Sequence, residues 1–474
     1  MWAFSGAQCA LVIAFLLHQR ATLTAAQLFS QNNTFNSTAT LTASQIANAG
    51  IDTVTADNIA VALNFERSNY AHGPASGDDF YKAPKKLSRS PAGTVLKVQV
   101  DANASLYTLP PNTAISRILY QSKNFNGSVV PASAYVLWPY TPRKQKDGYP
   151  VVAWAHGSSG TFGNCAPSNF RSLQYQFGAP FELALQGYVV VAPDYAGLGV
   201  EKDADGKFIP HQFAANPATA NDLIYAVEAA QSAFKVLSKQ FVVVGHSQGG
   251  GAAWSVAERQ VKQPVKGYLG AVAGSPLTSL LAFKGLGALF AAFPLLTSAP
   301  ISSVFPGFNI STTLLPAGQA ILALGQELEG CIAVDNQLLG SALAVPTWDS
   351  SPYVIEYDRL IAAGGKKISG PLLVLQGEAD PVVPFPVVSA AVEKTCKLYP
   401  QSAIEYKTYE NITHVPVMYA AQRLWLDWIA DRFARVPVDR HCHQTNYSSA
   451  KPYNQYLSDA NWFIEYATQA YELS

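Results

Sequence analysis

The sequence predicts an α/β fold: a mostly parallel sheet covered by helices on both faces, with a helical insertion between two late strands. Three observations carry this. Short runs rich in Val, Ile and aromatic residues alternate with helical stretches from residue 149 onward, the rhythm of strands buried on both faces. One run, Phe241-Val242-Val243-Val244, passes directly into Gly245-His246-Ser247-Gln248-Gly249 and then into the helix formers Ala252-Ala253-Trp254. Residues 276–370 break the rhythm with apolar pieces of helical period, interrupted by Gly and Pro.

At 474 residues, with 49% hydrophobic and 14% charged residues, the chain can bury a large core as one domain with insertions. Lys+Arg and Asp+Glu are both 32, and nothing in that balance calls for a nucleic-acid partner. Nothing calls for a cofactor, a metal, a transmembrane segment or a second subunit either. No repeat of fixed period is present.

In chain order, residues 10–17 are a short apolar run followed by small residues up to Ala26, a secretory signal expected to span 1–26. The run is too short to cross a bilayer. Cys9 leaves with it, and Cys165, Cys331, Cys396 and Cys442 remain, an even number that suggests two disulfides in a secreted protein. Sequons begin at Asn32, Asn36, Asn103, Asn126, Asn309, Asn411 and Asn446, the density of an extracellular glycoprotein. Residues 27–90 read as a polar N-terminal extension with a short helix near 57–66. Core strands are expected over 94–100, 115–122, 133–138, 149–155, 187–192, 240–244 and 267–273. Helices are expected over 181–186 and 217–238. After the insertion, the core resumes over 371–438 with strands 371–376 and 404–409 and a helix over 418–433. Residues 439–474 read as a tail.

The chemistry centres on Ser247. A strand, a sharp Gly-x-Ser-x-Gly turn and a helix form the setting in which a serine hydroxyl is pushed out of the backbone at a helix N-terminus. Asp380 follows the next core strand, and His414 follows the one after, the chain order of α/β-hydrolase triads. A serine needs a base near neutrality, and the base needs a carboxylate to hold its tautomer. Glu378 is the competing acid; Asp194 reads as a structural loop residue. His156 and His246 read as packing or hydrogen-bonding residues, and Ser158 and Ser159 lack an elbow. The loop after the strand 149–155 should supply one oxyanion donor, and the N–H of Gln248 the other. His441-Cys442-His443 reads as a disulfide cysteine between exposed histidines, since no matching Cys or His pair lies elsewhere.

Several ordered motifs carry a family resemblance: Pro91-Ala92-Gly93-Thr94-Val95-Leu96, Ala155-His156-Gly157-Ser158-Ser159-Gly160, Cys165-Ala166-Pro167-Ser168 and Ala192-Pro193-Asp194-Tyr195-Ala196-Gly197-Leu198-Gly199. Together with the serine, acid and histidine regions they resemble the fungal secretory lipase family, of the yeast lipase A type, over residues 75–440. The resemblance implies an α/β-hydrolase core, a helical lid between serine and acid, and cleavage of carboxylic esters. It also implies bridges Cys165–Cys331 and Cys396–Cys442, and places the oxyanion residue on Ser158. The expected substrate is an ester or lipid, with a lipid–water interface as a candidate place of action. A secreted serine peptidase with the same triad is the alternative, although the sequence shows no obvious acidic pair to hold a substrate amine. A non-catalytic binding glycoprotein is a third reading, opposed by the presence of all three triad positions.

Overall fold

The computed structural model describes residues 38–286, 289–339 and 343–457. The expected signal, Cys9, Asn32 and Asn36 lie outside the described residues. One ten-stranded sheet organises the chain. Its strands are β1 (Val95–Gln99), β2 (Thr113–Lys123), β3 (Val129–Pro139), β4 (Tyr149–Ala155), β5 (Val189–Pro193), β6 (Leu237–His246), β7 (Tyr268–Gly274), β8 (Leu372–Gly377), β9 (Ile404–Tyr409) and β10 (Cys442–Tyr447). Their order in space is β1-β2-β3-β5-β4-β6-β7-β8-β9-β10. The first three are antiparallel, while β5, β4 and β6 through β10 run parallel.

The twelve described α-helices are α1 (Ala43–Ala49), α2 (Thr53–Ser68), α3 (Pro180–Leu185), α4 (Asn216–Ala233), α5 (Gln248–Lys262), α6 (Leu289–Val304), α7 (Pro316–Leu328), α8 (Ile332–Leu338), α9 (Pro352–Ile361), α10 (Phe385–Leu398), α11 (Pro416–Ala420) and α12 (Gln422–Phe433). On one face of the sheet α4 and α5 bury Leu223, Ile224, Trp254 and Val256. On the other, α3 and α12 bury Phe181, Trp425 and Ile429 against Trp154 and Tyr188. With both faces covered, β8 is buried at every residue, which is why Leu372-Leu373-Val374-Leu375 reads as an apolar run.

Strand order reverses at β4: β5 lies on one side of it and β6 on the other. A crevice opens beyond the carboxyl ends of strands at such a switch point. The loops leaving β4 and β6, which carry His156-Gly157 and Ser247, both emerge there.

Several elements depart from the sequence reading, among them α1 and α10, where no helix was expected. Leu237 and Ser238, expected to end the helix over 217–238, instead begin β6. The helix expected over 418–433 divides at Ala421 into α11 and α12. The short helix near 57–66 is the sixteen-residue α2, capped by Asp52, whose carboxylate accepts from Thr55 N. Beyond residue 409 no strand was expected, yet β10 pairs in parallel with β9 along its whole length.

The described residues of 276–370, between β7 and β8, include α6 through α9. This insert does not sit on the core alone. α1 and α2 pack on it, with Ile59 and Leu63 against Leu324, Leu328 and Val334. The Glu66 carboxylate accepts from Cys331 N and Val334 N at 2.8 and 2.9 Å. Residues 27–90 therefore include a clamp on the insert, built on polar-looking sequence whose apolar residues recur on one side of α2.

Two disulfides are present, Cys165–Cys331 and Cys396–Cys442. The first ties the insert to the loop after β4, and the second staples β10 to α10. Asn103, Asn126, Asn309, Asn411 and Asn446 are all exposed.

Candidate active site

Ser247 holds φ 57° and ψ −120°, a left-handed backbone that a serine adopts only under constraint. The constraint is the junction itself. Ser247 N donates to Gly274 O of β7, and its carbonyl accepts from Gly251 N in the first turn of α5. A side chain at Gly249 would overlap the carbonyl oxygen of Ala155, so the helix can start this close to β4 only with glycine there. Gln248 opens α5, and the first N–H groups of a helix have no partner inside it.

The loop after β4 closes on the serine. A Cβ added at Gly157 would lie 3.3 Å from Ser247 Cβ and would overlap the hydroxyl of Tyr175. Gln174 Nε2 donates to Ser158 O at 3.1 Å. Ser159 O accepts from Ile332 N at 3.1 Å, and Gly160 bridges Cys331. The loop that carries Ser158 is thus fixed from one side by the 173–176 turn and from the other by the insert. Leu173, Gln174, Tyr175 and Gln176 all have positive φ. Nothing in those four residue types signals such a turn, and the sequence reading missed it.

Next to His246, whose Nε2 lies 3.0 Å from the His414 carbonyl oxygen, His414 Nδ1 lies 2.7 Å from Asp380 Oδ2. Asp380 is buried, and its Oδ1 accepts from Val382 N and Val383 N, each at 2.9 Å. Burial pushes this carboxyl up, but His414 and the N–H of Val383 outweigh it and leave the group below the usual carboxylate value. Glu378 is exposed and accepts from Thr408 at 2.8 Å, away from the histidine. Asp194 is fully buried and occupied by Ser133 Oγ, Ser168 Oγ and Ser168 N.

Three further histidines surround the site. His246 Nε2 faces His414 O at 3.0 Å, and Nδ1 faces Tyr175 Oη at 2.8 Å. His156 stacks on Tyr195 at 4.0 Å, and Tyr195 on His211 at 6.1 Å. His211 Nε2 lies 3.2 Å from the Gln248 side chain. Burial lowers His156 and His246 to about 3 and His211 to about 4, so all three are neutral near pH 7.

His441 and His443 both contact Asp439 at 2.7 Å on the surface, while Cys442 between them is in its disulfide. Among the described residues no three His, Cys, Asp or Glu side chains gather as a metal site. No described helix is long and apolar enough to cross a membrane.

A serine on a strained strand-to-helix turn, at the switch point of a largely parallel sheet, defines a class. The Alpha/beta hydrolase family matches residues 152–443, well over half of the chain, and this protein belongs to it. Within that class the chain is similar to fungal lipases. It is 26% identical over 425 residues to Lipase 6 of Candida albicans, covering 79% of this chain and 85% of the relative. Its fold matches that of Candida antarctica lipase A in its closed state with a TM-score of 0.63 at 18% identity, over 77% of this chain and 87% of the other. It is also 23% identical over 398 residues to a probable inactive lipase of Mycobacterium tuberculosis, over 78% and 85% of the two chains.

Proposed function

We propose that this protein is a secreted serine hydrolase that cleaves carboxylic esters through an acyl-enzyme on Ser247. The observation that carries the reading is the 2.7 Å pairing of His414 Nδ1 with Asp380 Oδ2, with His414 against His246, the residue before the strained elbow serine. Ionised Asp380 accepts the Nδ1 proton of His414, which leaves Nε2 with the lone pair of a base. His414 takes the Ser247 proton as Oγ attacks the ester carbonyl. The oxyanion receives the Gln248 N–H and a donor from the Ser158 loop. Collapse expels the alcohol, protonated by His414, and leaves the acyl group on Ser247. Water then attacks by the same steps in reverse. The similarity to a protein named a lipase supports an ester substrate. Two disulfides and five exposed sequons support secretion and glycosylation.

The insert is proposed as the lid. Phe283 and Phe293 are its buried core, while Leu295, Leu296, Ile321 and Leu322 line a cavity where an acyl chain would gain about 0.8 kcal/mol per buried CH₂. The test is a panel of p-nitrophenyl esters and aminoacyl anilides on the purified protein. kcat/KM should rise from acetate toward medium chains, by up to roughly fourfold per CH₂, with anilides far slower and Ser247→Ala inert on all. A flat profile with anilide cleavage would instead establish the peptidase. One observation favours that second reading: three carboxylates line a cavity beneath the insert.

A further inference from the structure

A cavity of about 280 Å³ lies where α6, α7 and α8 meet the core loops around residues 161–162 and 201–211. It is near the lower edge of the ~300–1,000 Å³ of small-molecule sites. Leu295, Leu296, Ile321 and Leu322 make it largely apolar, and its charged lining is Glu201, Glu329 and Asp335, without Lys or Arg. Glu201 and Glu329 meet at one turn: Asn164 Nδ2 donates to Glu329 Oε2 at 3.0 Å, and a Cβ at neighbouring Gly163 would lie 2.9 Å from Glu201 Oε2. Lys202 approaches Glu201 only to 3.8 Å. Asp335 is 7% exposed, and its Oδ2 is buried without a hydrogen-bond partner. A carboxylate oxygen in that position is costly to leave unpaired. Burial, and then the charge of Glu66, push the Asp335 carboxyl well above the usual range; burial and then Glu329 raise Glu201. Each would be relieved by a cation.

We infer that this cavity binds an amphipathic organic cation, its ammonium group against Asp335, Glu329 and Glu201 and its alkyl part against the leucines of α6 and α7. An inorganic cation is a poorer match, because most of the lining is hydrocarbon and, among the described residues, no three His, Cys, Asp or Glu side chains stand close enough together to ligate a metal, whereas an ammonium group needs only ion-pair contact. The cavity also touches the proposed reaction centre. His211 lines it and is 3.2 Å from the side chain of Gln248, the residue after Ser247. The alkylammonium group therefore belongs either to the acyl part of a substrate or to a separate ligand.

Calorimetric titration of the full-length Ser247→Ala protein with n-octylammonium chloride, 1-octanol and n-octyl sulfate tests this apart from any hydrolysis. The cation should bind at least tenfold more tightly than the alcohol, and the sulfate should not bind. Glu329→Gln with Asp335→Asn should weaken the cation at least tenfold and leave the alcohol unchanged. Equal binding of cation and alcohol, or a double variant that still prefers the cation, overturns the inference. Should the double variant not fold, Gly325→Leu is the second probe: a Cβ there meets only Leu338 Cδ1, at 3.5 Å, and the longer side chain should abolish binding with all three acids intact. Retained binding in that variant overturns the site. In the active protein, competitive inhibition of p-nitrophenyl butyrate hydrolysis places the cation on the acyl path, and binding without inhibition makes it a separate ligand; both support the site. Ester hydrolysis without cation binding would leave the proposed function standing and remove this inference, and the converse result would do the opposite.

Discussion

His246 sits between Tyr175 and the backbone of His414, and its tautomer follows from its neighbours. The carbonyl of His414 can only accept, so His246 Nε2 carries the proton and Nδ1 accepts from the Tyr175 hydroxyl. Tyr175 thereby fixes the ring that holds the proposed base in place. Tyr175→Phe should lower kcat about tenfold with KM little changed, the signature of misplacement rather than lost binding; a change in KM alone would count against this role. Ser247→Ala should leave folding intact and remove both turnover and labelling by a serine-directed phosphonate. Asp380→Asn should cost about 10⁴-fold in kcat, by the logic of triads in general, and Glu378→Gln should cost little, because Glu378 faces Thr408. A larger loss for Glu378→Gln would reverse the choice of acid. These residues were legible in the sequence because each follows a strand at a fixed place in the chain order. Tyr175 and Gln174 were not, since their contribution depends on four successive left-handed residues that no local pattern encodes.

Among the elements, those set by local pattern were the easiest to read. β4 and β9 run from and to the residues expected, as their apolar runs are bounded by turn residues. β10 was missed for a physical reason. Its residues, Cys-His-Gln-Thr-Asn-Tyr, are mostly exposed, so neither alternation nor hydrophobicity marks them. The strand is held by pairing with β9 and by the Cys396 bridge. The two bridges should accordingly behave differently when removed. They close loops of 166 and 46 residues, and chain entropy alone assigns each about 4–5 kcal/mol, as an upper value. Replacing Cys396 and Cys442 by Ser should lower the melting temperature and leave kcat near that of the unaltered protein, because β10 lies at the far edge of the sheet. Replacing Cys165 and Cys331 should lower both, since Gly160 and Ser159 lean on Cys331 and Ile332. Equal kinetic effects of the two pairs, measured on folded protein, would sever the insert from the Ser158 loop.

For the whole molecule, the zero formal net charge conceals buried groups with opposite pH behaviour. Burial lowers His156 and His246 to about 3 and His211 to about 4, from an ordinary 6.5. The unfolded chain binds protons at these sites that the folded one refuses, so stability rises with pH from about 3 toward 6.5. Burial also raises Glu66, Asp222 and Glu258 to about 7, from ordinary values of 4.5, 3.8 and 4.5. The folded chain keeps those protons longer, so their contribution is complete at low pH and is lost as pH rises through about 7. Each group contributes at most about 1.4 kcal/mol per pH unit while it acts. Near pH 5.5 the three histidines oppose these three acids, and Asp194, Glu201, Glu228, Asp335 and Asp358, which burial also raises, add to the acid side. Above 6.5 the histidine effect is exhausted and the acids prevail. Asp380 is held below its usual value and releases its contribution only at more acid pH. The melting temperature should therefore pass through a maximum below about pH 6 and decline toward pH 8. Asp222→Asn removes one of these opposing acids, and in scanning calorimetry from pH 4 to 8 it should shift that maximum upward and flatten the alkaline decline. A melting temperature that climbs steadily to pH 8 would mean that these acids are ionised in the folded protein, stabilised by the N–H and hydroxyl donors around them.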